Sequence, residues 1–126
     1  MLEKTKKTKV VVTGGAGVIG SNLVDALVEQ GFVVRVIDNL SGGKKVNVNK
    51  KAKFYQLDIT NLKSIKPVFR GVQYVFHLAA LPRVQYSIEH PAETNQVNVE
   101  GLLNVLIEAH QAGVKKVIYS ASSSAY

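Results

Sequence analysis

At 126 residues, 46% hydrophobic and 20% charged, the chain has material for one globular domain and not for two, and no apolar run approaches the roughly 18 residues of a membrane span. It has no cysteine, which removes disulfides and thiolate metal sites and fits a cytoplasmic setting, and His77, His90 and His110 lack metal-ligand spacing, so no metal is expected. The net charge of +7 gathers at Lys4, Lys6, Lys7 and Lys9 and again at Lys44, Lys45, Lys50, Lys51 and Lys53, clusters that are usually solvated surface; no aromatic-interleaved basic platform accompanies them, so a nucleic acid is not expected, and an anionic small ligand would benefit equally from the charge.

Along the chain, KVVV at 9–12 opens as a short β-branched strand. Ile19, Leu23, Ala26 and Leu27 then recur at helical spacing, Val18 and Val28 widen the face, and Gly31 marks the stop. FVVRVID at 32–38 and KFYQLDI at 53–59 read as the second and third strands, followed by a short helix over 61–69 capped by Thr60 or Asn61 and limited by Pro67. QYVFHLAA at 73–80 is the fourth strand. A long helix from about Glu93 to Ala112 carries Val97, Leu102, Val105, Leu106 and Ala109 on one side and ends at Gly113, and KKVIYSAS at 115–122 is the fifth strand. Strands alternating with helices imply right-handed crossovers, and runs such as VVV and VIY suit a sheet buried on both faces. The expected fold is α/β: a three-layer, Rossmann-like, doubly wound parallel sheet in the order 3-2-1-4-5, truncated after strand five.

Four glycines crowd the first turn. Gly15, Gly17 and Gly20 satisfy G-x-G-x-x-G, Thr13 and Gly14 extend it, and the pattern lies between a strand and a helix, where it carries meaning. One glycine permits the turn, another admits a pyrophosphate to the backbone of Val18 and Ile19 at the helix N-terminus, and Gly20 lets helix and strand pack closely. Asp38 ends the second strand about 20 residues on, where a carboxylate accepts from ribose hydroxyls and repels a 2′-phosphate. NAD is therefore expected over NADP, with Arg35, Lys44 and Lys45 as the cations that could offset the repulsion. Asn39, Leu40, Ser41 and Gly42 follow in a polar loop beside the adenosine.

With TGGAGVIG, VIDNLSGG, LDI at 57–59, HLAA at 77–80, NVEG at 98–101 and YSASSSAY at 119–126, the chain resembles the extended short-chain dehydrogenase/reductase family, and within it the NAD-dependent nucleotide-sugar epimerases acting on UDP-glucose or UDP-N-acetylglucosamine. The resemblance implies that Asp58 and Ile59 hold the adenine, although Asp58 could equally cap the following helix. Leu78, Ala79 and Ala80 would run along the cofactor. Asn98 would stand at the family's asparagine within the long helix, and Arg83 near phosphates of cofactor or substrate. Ser122 would be the catalytic serine that bonds the reacting sugar hydroxyl, with Ser123 and Ser124 beside the substrate. The family's Y-x-x-x-K would follow Ser122 by some two dozen residues, and Tyr126 matches a structural position instead.

Residues 1–126 are thus expected to form the NAD-binding domain of a longer, homodimeric enzyme that inverts C4 of a UDP-hexose, the substrate domain and the Y-x-x-x-K segment being absent. A 4,6-dehydratase or decarboxylase of the same family is the alternative, disfavoured because Ser123-Ser124-Ala125-Tyr126 has no acid. A non-catalytic dinucleotide-binding module is the other.

Overall fold

Three consecutive valines and a threonine leave β1 (Lys9–Thr13) no solvent face, and the sheet forms around it. The computed structural model describes residues 8–79 and 89–119. Five parallel strands, β1, β2 (Val33–Asp38), β3 (Lys53–Gln56), β4 (Tyr74–His77) and β5 (Lys116–Tyr119), lie in the order β3-β2-β1-β4-β5, as the alternation of elements implies. Val10 pairs with Val34 on one side and Tyr74 on the other.

The two-residue period of the strands divides the core. Val10, Val12, Val34, Val36 and Tyr74 pack against Val24 and Leu27 of α1 (Val18–Glu29). Val11, Ile37 and Val75 face the other way, onto Ile65 of α2 (Leu62–Ile65), Val68 and Phe69 of the 3₁₀ turn after it (Lys66–Phe69), and Val105 and Ala109. The last two belong to a long helical stretch. It begins as α3 (Pro91–Asn95), with proline in the first turn where its missing N–H costs nothing, passes through a π-helical turn (Gln96–Glu100) and continues as α4 (Gly101–Gln111).

Two helix faces are rotated from those the apolar spacing suggests. In α1 the buried stripe is Gly20, Val24 and Leu27; Ala26 is exposed and Ile19 lies 74% exposed at the helix mouth. Close approach at Gly20, rather than the count of apolar side chains, sets the face. In α4, Gly101, Val105, Glu108 and Ala109 are buried, whereas Leu106 joins Val99 and Leu103 on the outside. Packing at Gly101 again fixes the rotation: a Cβ there would lie 2.5 Å from Ile59 Cδ1. β3 and β4 stop short of their apolar runs, at Gln56 and His77, where the chain leaves the ladder, as where Asp58 folds onto Thr60; β5 is described as far as Tyr119, and residues 120–122 of the expected strand lie outside the described residues.

Candidate functional site: the crevice at the ends of β1 and β4

The sheet reverses its winding between β1 and β4, and the loops leaving their C-terminal ends touch. Gly14 leaves β1 with φ +75°, a left-handed conformation that favours glycine, and donates from its N–H to Ile37 O at 2.8 Å. A Cβ on it would meet Ala79 N at 2.8 Å, so the β1 and β4 loops lie backbone to backbone. A Cβ at Gly15 would strike Val36 Cγ1 at 2.6 Å, and one at Gly20 would run into the Gly14 carbonyl oxygen. Packing of the chain on itself accounts for all three.

Gly17 is different. It caps α1 in an extended conformation open to any residue, φ −78° and ψ 177°, and a Cβ there would meet nothing closer than Gly14 O at 3.6 Å. Neither fold nor packing requires glycine at this position, whereas a pyrophosphate approaching the helix mouth would. Val18 and Ile19 flank it, 78% and 74% exposed. The cradle thus fits a dinucleotide.

Asp38 closes the second wall. Its Oδ2 accepts from Ala16 N at 2.9 Å and its Oδ1 from Leu40 N at 2.7 Å, so one carboxylate ties the glycine turn to the loop after β2. The same loop returns to Ala16, whose carbonyl accepts from Lys44 N and from Asn47 Nδ2. Leu40 holds φ +66° to present its amide, and Asn39 Oδ1 accepts from Ser41 N at 3.0 Å. Asn39, Ser41 and Gly42 are exposed along the rim, and Gly42 has open space around it. Of the cations considered as neutralisers of a 2′-phosphate, Arg35 is excluded. It points to the opposite face of the sheet, where Nη1 donates to the carbonyls of Val68 and Arg70, both at 2.8 Å. Lys45 lies over the Phe54 ring at 5.8 Å.

Asp58 does not cap α2. Its Oδ1 accepts from the N–H and hydroxyl of Thr60, and Asn61 is the cap, accepting from Ser64 N. Asp58 itself is exposed. Ile59 is buried with its side chain in the core, so only its backbone can reach a ligand, and Asn104 Nδ2 anchors that backbone by donating to Ile59 O at 3.0 Å. Asn98 is half-buried within the π-helical turn. Ala80, Arg83, Ser122, Ser123, Ser124 and Tyr126 lie outside the described residues.

Three polar side chains of this region make contacts that the motifs do not assign. Asn104 is one. The others are Thr13 and His77, register partners at the ends of β1 and β4, whose Oγ1 and Nδ1 lie 2.7 Å apart. The signal was available: each ends an otherwise apolar buried strand, where a polar side chain needs a partner. Burial pushes the His77 pKa down from 6.5 to about 4, so the ring is neutral at physiological pH. Among the described residues no group of three His, Cys, Asp or Glu could hold a metal ion, and no helix is long and apolar enough to cross a membrane.

The family model of the NAD-dependent epimerase/dehydratase family matches residues 10–126. A putative UDP-glucose 4-epimerase of Methanocaldococcus jannaschii is 38% identical over 117 residues, covering 92% of this chain and 38% of that protein. UDP-glucose 4-epimerase of Thermotoga maritima, solved with UDP-glucose, superposes with a TM-score of 0.89 at 43% identity, covering 90% of this chain and 38% of the other. That of Thermus thermophilus, solved with NAD, gives a TM-score of 0.83 at 40% identity over 87% and 36%. The chain therefore spans a little under two-fifths of the length of these relatives. From the glycine turn through the acid of β2 to its last residue, it belongs to the NAD-dependent epimerase/dehydratase family.

Proposed function

We propose that the chain is the NAD-binding portion of a nucleotide-sugar 4-epimerase that inverts C4 of a UDP-hexose through a transient 4-keto sugar. The observation that carries this is the open position at Gly17 in a crevice shared with proteins 40% and 43% identical that are UDP-glucose 4-epimerases. Gly14 and Gly20 shape the turn, and the amides about Gly17, Val18 and Ile19 receive the pyrophosphate. Asp38 keeps a lone pair on each oxygen for ribose hydroxyls while its backbone bonds hold it in place. Asn39, Leu40, Ser41 and Gly42 line the adenosine side. Asp58 accepts from the adenine amine, and Ile59 contributes its backbone.

Leu78, Ala79 and Ala80 form the wall along the cofactor, and Asn98 supports it from the helix. When bound, NAD supplies reversible hydride acceptance at the sugar carbon. Ser122 bonds the hydroxyl under oxidation and the carbonyl oxygen that replaces it, with Ser123, Ser124 and Arg83 beside the substrate. Proton removal from that hydroxyl needs a base that Ser122 does not provide, so the 126-residue chain alone is expected to be inactive on UDP-glucose. A dTDP-glucose 4,6-dehydratase from Streptomyces venezuelae shares the fold at 31% identity, and the dehydratase reading stands second because the 122–126 segment offers no acid.

Mass spectrometry of the nucleotide that co-purifies with the chain tests the cofactor, with NAD expected and NADP or no nucleotide overturning it. Epimerisation of UDP-glucose by the longer protein carrying this segment tests the reaction; formation of a 4-keto-6-deoxy sugar would establish the dehydratase instead.

A further inference from the structure

Thr13 and His77 are respectively 0% and 1% exposed, and the reading above gives neither a role. A hydroxyl has one hydrogen and two lone pairs. Thr13 Oγ1 accepts from Ala79 N at 3.1 Å and shares the Leu78 N–H, at 3.0 Å, with the Thr13 carbonyl oxygen, also at 3.0 Å, so both of its lone pairs face amide hydrogens. Its hydrogen is left for His77 Nδ1 at 2.7 Å. Nδ1 must then accept, and the ring proton resides on Nε2. An imidazolium would set its Nδ1–H against an oxygen whose lone pairs already face two amides, so the geometry favours the neutral ring. Tyr119 of β5 stacks on that ring, with centroids 5.8 Å apart and planes 18° from parallel.

This arrangement has a consequence for the crevice. Leu78 and Ala79 are the first residues after β4, and the amide nitrogen of Ala79 lies only 2.8 Å from where a Cβ of Gly14 would be. The separation of the glycine turn from the β4 wall is thus set by the Ala79 amide, with a share of the Leu78 amide, resting on one oxygen whose orientation is in turn set by one imidazole nitrogen.

We propose that Thr13 and His77 are a positioning pair that holds the Leu78–Ala79 backbone at the height a bound dinucleotide requires, His77 acting through the Thr13 hydroxyl without touching the ligand. The proposal rests on the cofactor reading above. It predicts that the chemistry of the pair, not its bulk, governs affinity. His77→Leu should weaken NAD binding to the full chain about tenfold, the scale of one lost buried hydrogen bond, and Thr13→Val, which also removes the acceptor of the Ala79 amide, at least as much. The double variant should be little weaker than Thr13→Val alone, because Thr13→Val already removes the bond that His77→Leu breaks. Thr13→Ser keeps the hydroxyl, and His77→Asn puts an accepting oxygen near the place of Nδ1. Both should bind within about twofold of wild type.

Calorimetric titration with NAD at pH 7.5 reads these affinities, and urea unfolding of each variant separates them from loss of stability. Independently of any variant, nitrogen-15 NMR of the wild-type ring should show Nδ1 unprotonated and Nε2 protonated. The opposite tautomer, or a protonated ring at neutral pH, overturns the proposal even if the Leu and Val variants fail to fold. Wild-type affinity in His77→Leu also overturns it while leaving the cofactor reading intact. Absence of NAD binding by the wild-type chain refutes the cofactor reading and the positioning role with it, whichever tautomer is seen.

Discussion

Asp38 spends its carboxylate twice, on the backbone of Ala16 and Leu40 and on the ligand proposed for it. Asp38→Ala should therefore lower the preference for NAD over NADP and also destabilise the fold by about 1–3 kcal/mol, the cost of stranding buried amides. The ratio of the two dissociation constants and a urea midpoint check the two effects separately. Gly17→Val should behave oppositely. Its Cβ would meet no protein atom closer than 3.6 Å, so stability should change by less than about 1 kcal/mol while NAD affinity falls at least tenfold. Unaltered affinity by calorimetry would remove the pyrophosphate assignment. His77 adds a pH dependence. The unfolded ring titrates near 6.5 and the buried ring near 4, so between these values the unfolded chain binds more protons. Stability from this group is complete above about pH 6.5, drains away by roughly 3 kcal/mol as pH falls to about 4, and is flat below. Unfolding free energies measured in urea from pH 7.5 to 4 should show that slope in wild type and lose much of it in His77→Asn.

Between elements, glycines set geometry that apolar spacing misjudges. The strands were legible because β-branched runs separated by helical periods leave little choice of topology, and the order β3-β2-β1-β4-β5 follows from it. Asp38 and the glycine turn were legible because their spacing is itself the mechanism. The rotation of α4 was not, because it depends on contact across 42 residues of chain between Gly101 and Ile59, and nothing local marks it. The π-helical turn at Asn98 and the anchoring role of Asn104 are hidden for the same reason. This contact makes a prediction. Gly101→Ala should cost about 1–3 kcal/mol through overpacking against Ile59 Cδ1 and Cγ1. Ile59→Val, which removes Cδ1, should cost less in that background than alone, a coupling that a double-mutant cycle of urea unfolding measures.

For the molecule as a whole, the outer surface carries a feature the core does not need. Val99, Leu103 and Leu106 stand 57%, 54% and 42% exposed along one side of the long helical stretch, and β5, an outer strand of the sheet, leaves Tyr119 51% exposed. Such a stripe favours self-association. Sedimentation should show dimers or larger species at about tens of micromolar, and Leu103→Glu with Leu106→Glu should return the chain to monomer. A wild-type monomer at that concentration would overturn the expectation.

The bond between Thr13 and His77 spans 64 residues of sequence. Closing a loop of that length costs about 4 kcal/mol in chain entropy before any contact repays it. β1 and β2 can meet across α1 alone, so the adenosine side of the crevice can assemble early, whereas the opposite wall exists only once β4 has docked. The expected order of folding thus builds the two walls at different times. A dinucleotide that needs both of them therefore binds the finished sheet and not its half-built precursor, which makes the ligand a selective stabiliser of the last docking step.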